Sequence, residues 1–318
     1  MMNIYYDAIQ EGVWFQQLHE GLLNAELLPF PNRGNGPQGL QQVLAYDMPD
    51  IVLVDDGNPI LVLERTREVP SGHNVGQRFA RLVAAAQMRV PVVYFGPYAA
   101  YKHGGATQGP RYMNLRLFYA LGQMARIERT AVTTINWPVD ENYELVQTPR
   151  KDKRVREYLN LFFDLYGTLA FGMLPDQIRN SQFERQQEAE RKTFISSEVA
   201  RPEEYGSPPD SVTIAPWRQL SQLAREHPQN LSHGETVLYQ VGMRYIRSDP
   251  YTGMAMLYSY LYCSGLRQRT RNLVLHFPHI TKQAWSSLAG SDRKDIRLYR
   301  LSADGILFRD GYLPHDAL

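Results

Sequence analysis

A chain of 318 residues that is 43% hydrophobic holds enough apolar material for one large domain or two ordinary ones. Its 34 Lys and Arg against 33 Asp and Glu leave a formal charge of +1, which argues against nucleic-acid binding by bulk attraction alone but allows a basic groove offset by an acidic site. One cysteine, Cys263, excludes an intramolecular disulfide and reads as a buried, inert thiol.

The first residues, MMNIYYDAIQEG, lack a basic region followed by an apolar run, so no signal peptide is expected. The apolar stretch Leu161 to Leu174 is broken by Asp164, Tyr166 and Gly167, and no segment reaches the roughly 18 apolar residues of a spanning helix. A soluble cytoplasmic protein is expected. Tyr6, Ile9, Val13, Leu18, Leu22 and Leu23 predict a helix over 5–28, and the Pro and Gly residues of 29–39 predict a loop. Ile51-Val52-Leu53-Val54, the turn residues Asp55-Asp56-Gly57-Asn58-Pro59, and Ile60-Leu61-Val62-Leu63 predict a hairpin with both strands buried.

Asn74 and Gln77 form a capping-box pattern, and Phe79, Leu82, Val83 and Ala86 supply one apolar helix face. Pro91 ends that helix, and Val92-Val93-Tyr94-Phe95 predicts a third strand, completing a strand-helix-strand crossover. The Gly-rich stretch 96–111 is expected as a loop carrying Lys102 and His103. A helix over 112–127 and a strand from Ala131 to Ile135 follow.

From about 152 the chain reads as mainly helical, with helices over 216–226, 234–247 and 252–264 and a small hairpin around Gly305-Ile306-Leu307-Phe308 and Asp310-Gly311. Residues 180–193 are highly charged and 201–210 read as a loop or linker. These readings divide the chain into 1–150 and 151–318, with no internal repeat.

The chemistry concentrates at the open end of the first hairpin. With the turn near 56–57, Asp50 falls opposite residue 63 or 64, so Asp50 and Glu64 meet at one end of the sheet. Thr66 shares a face with Glu64 because side chains alternate. Two converging carboxylates stay ionised only with a cation between them, and a hard cation such as Mg2+, with Mn2+ as a substitute, suits oxygen ligands.

Pro49-Asp50, a turn, Glu64-Arg65-Thr66, then a helix and a strand resemble the PD-(D/E)XK nuclease superfamily, which includes type II restriction endonucleases and DNA-repair nucleases. The resemblance covers residues 45–96, extending at most to 5–135. It implies an α/β (α+β) restriction-endonuclease-like core with a mixed central sheet flanked by helices. It further implies that Asp50 and Glu64 bind the metal with the main-chain carbonyl of Arg65, and that a carboxylate of the N-terminal helix assists, for which Glu20 is chosen over Glu11. Gln77 stands where some branches carry a glutamine. The pattern's lysine is replaced by Thr66, whose hydroxyl can orient a water but is no base near pH 7. A metal hydroxide could act without it, Lys102 could reach in, or the fold could bind without cutting.

Plainer readings stand beside these. Asp50 also suits a turn at a strand start, and Glu64 a salt bridge to Arg78 or Arg67. Gln77 suits a cap. His73 and His103 lack metal-ligand spacing and read as polar loop residues or DNA contacts. Arg267, Arg269 and Arg271 read as a solvated helix end or a phosphate patch. Tyr239, Tyr245, Tyr251, Tyr258, Tyr260 and Tyr262 read as helical core. The expectation is a site-specific, Mg2+-dependent endonuclease acting on double-stranded DNA. It would work as a homodimer without organic cofactor or membrane, with Arg67, Arg78, Lys102, His103 and the 267–271 arginines contacting DNA.

Overall fold

The computed structural model describes the chain apart from residues 33, 73, 105–107, 225–230, 244–251, 266–267 and 290–292. Two units divide it: Met1–Gly72, Arg81–Leu115 and Met124–Pro202 form the first, and His73–Ala80, Arg116–Gln123 and Glu203–Leu318 the second. The division falls at 202/203 rather than near 150. Among the described residues no helix is long and apolar enough to cross a membrane.

In the first unit, β1 (Met2–Tyr6), α1 (Ile9–Gln16), β2 (Glu26–Pro29) and α2 (Gln38–Val43) precede β3 (Ile51–Asp55) and β4 (Asn58–Arg65). The single helix expected over 5–28 is therefore broken into a strand, a short helix and a second strand. The aromatic and β-branched run of β1 pairs antiparallel with β3, Met2 opposite Asp55 and Tyr6 opposite Ile51. It pairs parallel with β2 on its other side. A partner about fifty residues away outweighs local helical spacing.

The β3–β4 hairpin closes through Asp56 and Gly57, both at positive φ (46° and 79°), the conformation of the tight turns whose twist suits a hairpin. Then follow α3 (Asn74–Gln87), β5 (Val92–Gly96), β6 (Ala99–Lys102), β7 (Gly109–Tyr112), α4 (Leu115–Ile127) and β8 (Val132–Asn136). The main sheet has the order β2-β1-β3-β4-β5-β8, with β4, β5 and β8 parallel. β6 and β7 make a separate two-stranded sheet where sequence suggested only a loop.

The chain continues through α5 (Lys153–Tyr166), α6 (Leu174–Arg179) and α7 (Gln182–Ile195). Tyr158, Phe162, Leu174 and Ile178 pack in one core with Leu53, Leu61, Leu63 and Phe95, which is why the first unit runs past 150. Those sheet residues alternate with Asp50, Val52, Val62 and Glu64, so the carboxylates face away from α5, toward the layer that holds α3. The charged stretch 180–193 is α7, capped by the Ser181 side chain accepting from the Glu184 N–H. It lies against the end strand β8. Thr133 Oγ1 donates to Glu184 at 2.7 Å, Arg191 donates to Thr134 Oγ1 at 3.1 Å, and Asn136 donates to Glu190 at 3.0 Å. A helix on an edge strand blocks pairing with another chain.

The second unit is not mainly helical. Its five-stranded mixed sheet, ordered β13-β12-β11-β10-β9, is built from β9 (Val212–Pro216), β10 (Glu235–Gln240), β11 (Asn272–Phe277), β12 (Gly305–Phe308) and β13 (Gly311–Pro314). α8 (Trp217–Ala224) follows β9, α9 (Thr252–Tyr258) runs into a π-helical turn at Ser259–Cys263, and α10 (Lys282–Ala289) and α11 (Lys294–Ser302) join β11 to β12. The helix expected over 234–247 is β10 as far as Gln240, and residues 244–247 lie outside the described residues. Thr236-Val237-Leu238-Tyr239 is a strand because β9 and β11 flank it and bury Val237 and Tyr239. Cys263 is buried, as expected, and burial pushes its thiol up to about 12.

Gly57 tests the hairpin turn by itself, since a Cβ there would meet nothing within 4 Å. Gly57→Ala should therefore cost only the positive-φ penalty, about 1 kcal/mol, read as a lower denaturation midpoint with an unchanged slope.

Candidate active site

The strand register places the two carboxylates. Ile51 pairs with Leu63 and Val52 with Val62, so the next facing pair outward is Asp50 and Glu64. Both are buried, at 5% and 0% exposure. Asp50 Oδ2 accepts the Arg65 main-chain N–H at 2.5 Å, which ties the residue before β3 to the end of β4.

The cation between them is a guanidinium. Arg81, on α3, places Nη1 3.2 Å from Asp50 Oδ1 and 2.9 Å from Glu64 Oε1. Its Nε lies 3.7 Å from Asp47 Oδ2. Burial alone lowers the Arg81 guanidinium, but Glu64, Asp47 and Asp50 outweigh it and hold Arg81 above its ordinary value. Arg67 is exposed, whereas Arg81 is a salt-bridge partner of Glu64 that the sequence reading did not single out. It lies one helical turn beyond Arg78, a spacing the crossover between β4 and β5 decides.

The nearby carboxylate from the N-terminal region is Glu11 on α1, not Glu20. Glu20 is exposed in a single 3-10 turn, Glu20–Leu22. Glu11 is half-buried; burial first, and then the Asp50 charge, push its carboxyl up to about 7, against the pull of Arg65 and Arg81. Helical spacing could not separate the two acids, because the helix predicted over 5–28 contains both, whereas α1 ends at Gln16, before Glu20.

Arg65 is committed elsewhere. Its guanidinium lies over the Trp14 ring at 4.3 Å and the Trp137 ring at 5.1 Å, and burial lowers its pKa. Thr66 is buried, and its hydroxyl donates to the Glu68 carbonyl at 3.0 Å and accepts the Glu68 N–H at 3.2 Å. Gln77 and Arg78 are half-buried on the part of α3 that belongs to the second unit. Asn74 is the first residue of α3, and His73 lies outside the described residues.

Lys102 is exposed at the end of β6, on the separate small sheet. His103 pairs with Glu144 at 2.8 Å, also exposed. In the second unit Arg269 binds Asp304 at 2.6 Å, and Arg271 binds Glu235 at 2.8 Å and the Tyr262 carbonyl at 3.1 Å. These two arginines hold strand ends together and do not form a solvated patch; Arg267 lies outside the described residues. Tyr239, Tyr258 and Tyr262 make ring contacts of 4.8 and 5.6 Å with one another, as core residues do, whereas Tyr245 and Tyr251 lie outside the described residues.

Among the described residues no group of three His, Cys, Asp or Glu is close enough to hold a metal. Asp50 and Glu64 are the pair that converges on a cation position. The chain matches no family model, no curated protein and no solved structure, so geometry carries the functional argument.

Glu11 makes a pH prediction. Its carboxyl titrates near 7 in the folded chain and near 4.5 when exposed, so folding takes up a proton between those values. The neutral form is favoured at low pH, and stability falls as pH rises through that window. Glu11→Gln should be more stable than the parent at pH 8, by on the order of 1 kcal/mol after discounting for solvent. Thermal melts from pH 4 to 8 should show the difference vanishing at the acid end.

Proposed function

We propose that the first unit is a nuclease of the PD-(D/E)XK type that hydrolyses phosphodiester bonds in double-stranded DNA with Mg2+. The observation that supports it is the convergence of one oxygen from each of two buried carboxylates, Asp50 and Glu64, on a single cationic nitrogen. The Arg81 nitrogen is a stand-in ion, so the donor set fits a hard cation. Magnesium commonly takes one or two carboxylates and completes its shell with water and substrate phosphate. When bound, it would polarise the scissile phosphate, lower the pKa of the attacking water and neutralise the leaving oxygen.

The chain's own residues supply the frame. The Arg65 N–H orients Asp50, β4 carries Glu64 to the sheet end, and the aromatic contacts of the Arg65 side chain hold that end rigid. The antiparallel β3–β4 hairpin followed by the parallel β4–α3–β5 crossover is the topology the resemblance implies. Cutting both strands at a palindrome calls for two such sites, hence two copies of the chain.

A second reading, binding without cleavage, is favoured by Thr66. Its hydroxyl is closed by Glu68 at the position of the pattern's lysine, and Lys102 is on another sheet.

Long unmodified plasmid and phage DNA, incubated with Mg2+ or a chelator, separates these readings. Wild type should cut with Mg2+ only, and Glu64→Ala should lose at least about a hundredfold in rate. Discrete fragments mean site-specific cutting and a smear means cutting without sequence preference. Intact DNA from folded wild type, bound equally with and without metal, overturns the nuclease reading in favour of a binding protein.

A further inference from the structure

We infer that Arg81 is an exchangeable counter-ion: it occupies the metal position of the Asp50–Glu64 pair and must be displaced before a divalent cation can enter. The inference rests on the nuclease reading and adds to it the regulation of metal binding.

Guanidinium and metal would draw on the same two negative charges. Nη1 stands 3.2 and 2.9 Å from the same two oxygens that a metal would use. A magnesium ion sits about 2.0–2.1 Å from each ligand oxygen. An ion bound to both oxygens would therefore lie within about 5 Å of Nη1, and the like charges would repel. The guanidinium has a route out, because the Arg81 side chain retains 21% exposure while Glu64 has none. It also has somewhere to stay. Asp47 Oδ2, 3.7 Å from Nε, is a third carboxylate outside the Asp50–Glu64 pair. Asp47 is held in place by accepting the Met48 N–H at 2.9 Å. A displaced Arg81 can keep that partner.

Charge compensation makes the exchange two-sided. Without metal, Arg81 relieves the repulsion between two buried carboxylates and stabilises the fold. With metal, the ion does so, and Arg81 is released as a positive group beside the site, where Thr66 provides none. Metal and guanidinium therefore compete for one place, and removing the guanidinium raises the apparent metal affinity by the fraction of sites it had closed.

The experiment needs no DNA. Mn2+ is titrated into wild type, Arg81→Gln and Arg81→Lys, with binding read by calorimetry or by loss of the free-ion paramagnetic signal. Melting temperatures are taken in chelator and in Mn2+. Arg81→Gln should bind Mn2+ about tenfold or more tightly than wild type. It should melt lower than wild type in chelator and recover most of that loss in Mn2+. Arg81→Lys, which keeps the charge on one nitrogen, should fall between them and guards against a Gln variant that does not fold without metal. Glu64→Gln should abolish binding in each background. Equal affinity in wild type and both Arg81 variants, lost with Glu64→Gln, overturns the exchange and leaves the nuclease reading standing. No Mn2+ binding by any folded variant overturns both.

Discussion

Two buried carboxylates at the open end of a hairpin whose strands are buried require a positive charge, and Arg81 supplies one. Glu64 has no exposure and Asp50 almost none, so neither could stay ionised there unpaired. A single guanidinium bonds both and lies near a third acid, Asp47. The arrangement joins three parts of the first unit that are distant in sequence: the residue before β3, the last turn of β4 and the second half of α3. A pair of this kind adds little stability over apolar packing, but breaking it by removing one partner is costly.

The surroundings of that pair are rigid. Asp50 is tied to the Arg65 amide, Arg65 is flanked by Trp14 and Trp137, and Trp137 stacks on Phe95 at 4.8 Å. Trp14 in turn donates to Asp152 at 2.9 Å, so α1, the end of β4, β5 and the approach to α5 share one polar-aromatic layer. The strand end and the ring stack thus hold the backbone around the two acids in place. Arg81, by contrast, is a long side chain with part of its surface in water.

The second unit follows a different plan. Two of its arginines are spent on strand ends: Arg269 on Asp304, which also accepts the Leu273 N–H at 2.6 Å, and Arg271 on Glu235. Asn272, fully buried, satisfies the His233 and Glu235 carbonyls and the Thr236 hydroxyl. Buried polar groups that are all paired specify register rather than bind ligands. A basic run in sequence is therefore no guide to a basic surface when acids from neighbouring strands come to meet it.

Local signals were enough for the first hairpin. Asp-Gly at the turn, β-branched flanks and alternation place Asp50 opposite residue 63 or 64, and the register shift between Leu53 and Val54 sets it opposite Glu64. The same holds for α3, β5, α4 and β8, whose periodicity or apolar runs are bounded by breakers. What failed were features set by distant partners. β1 and β10 carry residues that suit helix or strand, and pairing with β3 in one case and with β9 and β11 in the other decided for strand. Sequence reading named Arg78 and Arg67 and passed over Arg81, whose guanidinium reaches both acids only through the way α3 lies over the sheet. Glu11 was passed over for Glu20 for the same reason. The sequence determined which acids converge; the tertiary structure alone decided which cation they hold, because that depends on how a helix crosses a sheet and not on spacing along the chain.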